Sequence, residues 1–301
     1  MSYQQTTKKP VTFEGIGLHS GKLTKIVLSP APADSGIVFR VVGHQARIPA
    51  LPGSVVDSHY ATTLGVNGTR VHTVEHLMAA AAGLGLDNLD VRVDGIEVPA
   101  ADGSAQPFVS LLRSAGRIAL TARRRPLVIV RPIRVGTDSR WLQVLPSDSF
   151  RISYTLDSSH PAVGMQAISC EPTEKLFVEE LAPARTYGFL KDVETLRKNG
   201  LAQGGSLENA IVVGKRNVLN ELRYRDEFVR HKTLDLIGHL ALLGRPLVGH
   251  VIARNAGHAL NYELVSALAQ AHGLDRPGLR AVPKLVARTA DLAPAPGFAA
   301  L

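Results

Sequence analysis

Apolar and polar residues alternate through "VTFEGIGLHSGKLTKIVLSPAPADSGIVFRVV", and the alternation is broken at Gly, Pro and Asp. A period of two between such breaks predicts β-strands joined by turns. The same pattern returns in "PLVIVRPIRVGTDSRWLQVLPSDSFRISYTL". Each stretch has a turn, a strand ending in "LSP" or "LPS", then "DSG" or "DSF", then another strand. Each is followed by a segment that reads as a helix with ionisable groups in it. The first, "TVEHLMAAAAGLGL", leads into the strand "NLDVRVDG", and the second, "RHKTLDLIGHLALLG", leads into "PLVGHVIARNAG". The "HL" at 76–77 aligns with the "HL" at 239–240. An internally duplicated α+β unit is expected, with the helices packed on one face of each sheet.

The boundary is expected at "ARRRP", residues 122–126, read as a basic linker. This divides the chain into an N-terminal domain over 1–121, a C-terminal domain over 127–280 and a Pro/Ala-rich tail over 281–301. Residues 177–215 interrupt the second unit. There "ARTYGFLKDVETLRKNGLAQGG" reads as a helical middle and a Gly-rich loop, an insertion placed to line a ligand site.

Charge and composition narrow the function classes. Lys and Arg total 34 against 26 Asp and Glu, a formal charge of +8, which favours anionic partners. The basic residues are scattered, and no helix-turn-helix, zinc-finger or aromatic-plus-basic pattern accompanies them, so nucleic acid is not expected as a partner. A transient contact with an acidic membrane surface is compatible with the charge. No apolar run approaches the roughly 18 residues of a membrane-crossing helix. The opening "MSYQQTTKKP" has no apolar stretch behind its lysines and predicts no signal peptide. The single cysteine, Cys170, excludes an intrachain disulfide. A cytoplasmic, monomeric protein is expected.

The candidate chemistry lies on the two helices. His231 and Asp235 are four residues apart and so share a helix face, with His239 one turn further on. Imidazole and carboxylate are normal Zn²⁺ ligands, and a catalytic site needs about three of them plus an open position. His76 is the natural third if the duplication brings the helices face to face. The same spacing also suits a simple helix ion pair. Glu75 could equally be an N-terminal helix carboxylate favoured by the dipole, with Thr73 as its cap, and His258 in "NAGHALN" a loop histidine held by backbone.

Several motifs, in order from about residue 9 to 270, resemble the UDP-3-O-acyl-N-acetylglucosamine deacetylase family. They are "GIGLHSGK", "TVEHLMAAAAGLGLDNLDV", "DGSAQPFV", "LDSSHPA", "ARTYGF", "FVRHKTLDLIGHLALLG" and "GHALN". The resemblance implies a fold of two similar β-α-α-β domains packed helix layer to helix layer. Each carries an insertion, and the second insertion holds an acyl chain. It also implies zinc-dependent removal of acetate from a UDP-linked, acylated glucosamine, the committed step of lipid A synthesis. The implied metal ligands are His76, His231 and Asp235, and Glu75 is the implied general base. His258 is implied as a second acid/base group that stabilises the oxyanion as an imidazolium, and Thr186 as a hydrogen-bond partner of the tetrahedral centre. Lys232 is implied near the diphosphate, and Tyr187, Asp157 and His19 are implied in substrate binding. Fe²⁺ shares the N/O donors of Zn²⁺ and is the alternative ion.

Two departures stand out against the family pattern. The family commonly has "GD" one turn after the metal aspartate, where this chain has "GH" at 238–239. An aromatic is common where this chain has Ser158. His239 is expected behind the metal site beside His258, orienting it through one donor and one acceptor. It cannot supply the negative charge that raises a neighbouring imidazole's pKa. The alternatives these departures leave open are a paralogue that binds a sugar nucleotide or regulates the pathway with little turnover, and an amidase acting on another N-acetyl sugar.

Overall fold

The computed structural model describes residues 2–274. The expected tail over 281–301 and the end of the 127–280 unit lie outside these residues. The fold is mixed α+β. β1 (Tyr3–Thr7) pairs antiparallel with the later segment Arg117–Arg123. A first sheet is built from β2 (Val11–Ile16), β3 (Leu23–Pro30), β4 (Ile37–Val41) and β5 (Arg47–Pro49). A small antiparallel sheet follows, made of β6 (Val55–Asp57), β7 (Thr63–Val66) and β8 (Thr69–Val71). After α1 (Glu75–Gly83), β9 (Leu89–Asp94) enters the first sheet, giving the order β2-β3-β9-β4-β5. Next come α2 (Gln106–Ala115) and β10 (Arg117–Arg123). Part of the basic stretch 122–126 is thus the end of a strand. Arg124 beyond it is anchored on Asp87, with Nε at 3.0 and 2.9 Å from the two carboxylate oxygens.

The second sheet uses β11 (Leu127–Val128), β12 (Ile133–Gly136), β13 (Trp141–Leu145), β14 (Phe150–Asp157) and β15 (Met165–Cys170). A short turn, α3 (Glu174–Leu176), runs into a π-helical turn, Phe177–Leu181. The inserted segment then forms β16 (Tyr187–Phe189), α4 (Leu190–Lys198) and β17 (Ile211–Val213), with α4 in the expected helical middle. α5 (Glu227–Ala241) leads to β18 (Leu247–Arg254), and α6 (His258–Ala271) ends the described chain. β18 completes the order β12-β13-β18-β14-β15, with β11 also paired to β18. In each sheet the late strand is antiparallel to one neighbour and parallel to the other: β9 lies between β3 and β4, and β18 between β13 and β14.

Alternation of side chains turns one face of each sheet inward. β18 alternates buried and half-buried residues along its whole length, as a period of two requires. The inward residues, among them Ile26, Leu28, Phe39, Leu142, Val144 and Ile152, join α1, α2, α5 and α6 in one continuous apolar core. α1 and α5 pack directly on each other. Neither has a clean polar face, because α1 is buried from Glu75 to Ala81 and α5 is buried at all but two positions. Gly238 permits the close approach: a Cβ there would press on the backbone of Glu75, 3.0 Å from its carbonyl carbon. No helix among the described residues is long and apolar enough to cross a membrane.

Candidate metal centre

Burial of α1 against α5 brings ionisable groups together inside an apolar core. Such groups need partners or a bound ion. Glu75 and His76 occupy the first turn of α1, and His231 and Asp235 lie one turn apart on α5. His76 Nε2 is 3.4 Å from Asp235 Oδ1, and His231 Nε2 is 3.4 Å from Asp235 Oδ2. The two imidazoles meet edge to face at 5.0 Å between centroids. One ligand atom from each of the three residues lies within 4.8 Å of the others. Donors about 2.0–2.1 Å from one tetrahedral ion stand roughly 3.3 Å apart, which matches both 3.4 Å separations. Asp235 Oδ1 is buried and has no hydrogen-bond partner. Such an orphaned carboxylate oxygen, facing imidazole nitrogens, suits a divalent cation.

The surroundings orient the donors. His231 Nδ1–H donates to the Ala184 carbonyl at 3.0 Å, which leaves the Nε2 lone pair facing Asp235. Burial alone would raise the Asp235 pKa. His231, His76 and His258 outweigh it and hold the carboxyl far below the usual range. Burial lowers His231 to about 4, with Asp235 opposing, so it is neutral and ligand-ready. Burial also acts to lower His76, but Asp235, 3.4 Å away, prevails and raises it.

Glu75 is pushed up to about 7 by burial, with His76 opposing and Asp235 adding to the rise. Its Oε2 accepts the Thr62 N–H at 3.0 Å, which fixes where the other oxygen points. Thr73 does not cap this helix. Its backbone is left-handed (φ 58°), its hydroxyl donates to Glu97 Oε1 at 2.8 Å, and Val74 takes the N-cap position without a side-chain bond. The competing carboxylate of Glu97 wins the hydroxyl.

His258 is the first residue of α6 rather than a loop residue, with Nε2 3.9 Å from Asp235 Oδ2. Burial holds it well below its ordinary pKa despite Asp235, so it is neutral here. His239 stacks against it at a tilt, 5.2 Å between centroids. The expected orienting hydrogen bond is not made. His239 Nδ1–H donates to the Asp235 carbonyl at 2.8 Å, and the Thr62 hydroxyl donates to its Nε2 at 3.0 Å. Both nitrogens are therefore used, and His258 Nδ1 is buried without a partner.

The remaining predicted residues are spread around this centre. Lys232, lowered to about 8 by burial, donates to the Ala256 carbonyl at 3.1 Å, and the Tyr154 hydroxyl donates to the same oxygen at 2.6 Å. The pair anchors the turn that carries His258. Tyr187 is buried with its ring edge to face against Phe228 at 4.8 Å, and burial followed by the charge of Asp235 raises its pKa. Thr186 lies two residues after Ala184, its N–H on the Gly103 carbonyl at 2.8 Å. Asp157 is exposed, 2.6 Å from Arg254 Nη2, and its N–H donates to Asn255 Oδ1 close to the His258 turn. Ser158 follows it, its hydroxyl accepting the His160 N–H at 3.2 Å.

The turn at His19 is held by Glu97, which accepts the His19 and Ser20 N–H groups at 2.9 and 2.7 Å. The same turn takes Gln203 N–H on its own carbonyl at 3.1 Å, which ties it to the inserted segment. Sequence reasoning missed Thr62 and Glu97. Both act through contacts that no local spacing announces.

The family model for UDP-3-O-acyl N-acetylglycosamine deacetylase (LpxC) matches residues 4–270. The chain belongs to this family. It is 47% identical over 271 residues to the UDP-3-O-acyl-N-acetylglucosamine deacetylase of Oleidesulfovibrio alaskensis, covering 89% of each protein. It is 49% identical over 266 residues to the Myxococcus xanthus protein of the same name, covering 87% of this chain and 85% of that one. Against the Acidithiobacillus ferrooxidans protein, also so named, identity is 48% over 274 residues, with 89% and 90% covered.

Proposed function

We propose that this chain hydrolyses the N-acetyl group of a UDP-linked, 3-O-acylated glucosamine, releasing acetate and the free amine in lipid A biosynthesis. The observation that carries the reading is the buried His76–His231–Asp235 cluster, with Glu75 next to it in sequence. His76, His231 and Asp235 would hold Zn²⁺, or Fe²⁺ with the same donors. When bound, the cation supplies Lewis-acid polarisation of the amide carbonyl and a lower pKa for water.

Glu75, held by the Thr62 amide and poised at about 7, takes the proton of the attacking water. It then returns that proton to the amine nitrogen as the C–N bond breaks. His258, neutral as placed, donates an N–H to the developing oxyanion, and Thr186 adds a second donor. Lys232 and the Tyr154 hydroxyl fix the turn beneath His258.

The common strand pairing of the two sheets supports two similar β-α-α-β domains packed through their helices, with 122–126 joining residues 1–121 to 127–280. The insertion around 177–215 would take the acyl chain, with Tyr187, Asp157 and His19 facing the substrate. The reading places a monomer in the cytoplasm, in passing contact with an acidic inner-membrane surface. The complete ligand set favours turnover over a non-catalytic paralogue, despite His239 and Ser158. The test is a pair of variants. His231→Ala should lose both metal and acetate release, and Glu75→Gln should keep the metal while turnover falls about 10²–10⁴-fold. Full metal content in the first, or near-normal turnover in the second, would overturn the assignment.

A further inference from the structure

Glu227 is completely buried and its carboxylate accepts four hydrogen bonds. Oε1 takes the Arg185 N–H at 3.0 Å and Arg185 Nε–H at 2.9 Å, and Oε2 takes Arg185 Nη2 at 3.2 Å and the Arg223 N–H at 2.6 Å. Arg185 Nη2 also donates to the Glu221 carbonyl at 2.6 Å. The clamped residue is flanked by Ala184 and Thr186. On the other side the same segment runs along "DGSA": Ala105 N–H donates to the Ala182 carbonyl at 3.0 Å and Thr186 N–H to the Gly103 carbonyl at 2.8 Å. Asp102 closes that side by accepting the Ser104 N–H at 3.0 Å and Arg223 Nη2 at 2.8 Å, while Arg223 Nη1 holds the Pro183 carbonyl at 2.7 Å. Residues 182–186 are therefore fastened from both sides, and from their middle the Ala184 carbonyl accepts the His231 Nδ1–H.

We propose that Glu227 is a positioning residue for His231: through Arg185 it fixes the Ala184 carbonyl and so selects the Nδ1–H tautomer that presents Nε2 to the cation. This rests on the reading of His231 as a ligand. A histidine ligand's tautomer and ring orientation are set by the acceptor of its other N–H. A backbone carbonyl can set them only if its own segment cannot move. Bidentate arginine–carboxylate pairing supplies that rigidity. The clamp also accounts for "DGSAQPFV", a motif with no catalytic group of its own in the mechanism above.

The first test uses Glu227→Gln, which replaces an acceptor by an amide that must turn a donor toward Arg185 or Arg223. Nitrogen-detected NMR of the metal-free protein reads the His231 tautomer directly. Zn²⁺ competition against a chromophoric chelator reads affinity. The expected result is a mixed His231 tautomer and a Zn²⁺ dissociation constant raised about 10–100-fold, with far-UV circular dichroism unchanged. Should Glu227→Gln not fold, the paired variant Arg185→Met with Glu227→Met removes both buried charges together, a change buried pairs often tolerate. The same tautomer mixing and affinity loss are then expected. A folded variant with the wild-type tautomer and wild-type Zn²⁺ affinity would overturn the proposal and leave the pair a purely structural one. The tautomer measurement needs no metal or substrate, so it stands even if His231 proves not to be a ligand.

Discussion

Gly238→Ala should injure activity far more than stability. A Cβ at 238 would lie 3.0 Å from the Glu75 carbonyl carbon and 3.3 Å from its Cα, with the carbonyl oxygen nearer still. Non-bonded heavy atoms prefer about 3.5–4.0 Å, so α1 and α5 must part by roughly 1 Å locally. Overpacking of this size costs about 1–3 kcal/mol, while replacing a helical glycine by alanine returns about 1 kcal/mol. The net loss of stability should be about 0–2 kcal/mol. The residue pushed aside is Glu75, and with it His76, so the displacement falls on the proposed base and one proposed ligand together. A misplacement of about 1 Å can cost on the order of 10²-fold in rate. The assay is acetate release with metal in excess, run beside urea unfolding of the same sample. A variant with kcat/KM within about threefold of wild type would show that the α1–α5 separation does not set the catalytic geometry.

His239→Asp should place a carboxylate against the His258 ring, raise the depressed pKa of that imidazole so that the low-pH limb of the rate profile moves upward, and lower stability by about 1–3 kcal/mol through a poorly satisfied buried group. Superimposable pH profiles would show that position 239 is not coupled to His258. Tyr154 is raised well above its ordinary pKa by burial, with Tyr187 and Asp235 adding to the rise. For an acid raised on folding, the neutral form is the one that stabilises. Its contribution is complete below about pH 10 and is lost as pH rises toward the folded-state value. Wild type should therefore exceed Tyr154→Phe by about 0.5–1.5 kcal/mol at neutral pH, and the margin should shrink above pH 10 in urea titrations. A margin constant up to pH 11 would contradict this.

Strands were legible because one face of each sheet is buried and the other is half open, so the alternation survives in the chain, as along β18. The outlines of α1 and α5 were legible as apolar runs, but their packing faces were not. Burial on nearly all sides erases the polar stripe that would orient them. Of the site, the four-residue spacing of His231 and Asp235 could be read locally, whereas His76 joins them only through the tertiary contact at Gly238. Thr62, Glu97, Ala184 and Glu227 gave no local signal, since each acts across more than ten residues of chain. The Thr73 cap failed because a left-handed backbone at 73 turned its hydroxyl to Glu97. His239 lies beside His258 as expected, but the orienting hydrogen bond is not made because Thr62 and the Asp235 carbonyl already occupy both its nitrogens.

The most direct test of metal-dependent deacetylation by the His76–His231–Asp235 cluster is acetate release from UDP-3-O-acyl-N-acetylglucosamine by chelator-stripped protein, before and after adding back one equivalent of Zn²⁺. The account predicts release near background from the stripped protein and recovery with the added ion. Undiminished release from metal-free protein, or none from folded protein carrying its metal, would contradict it.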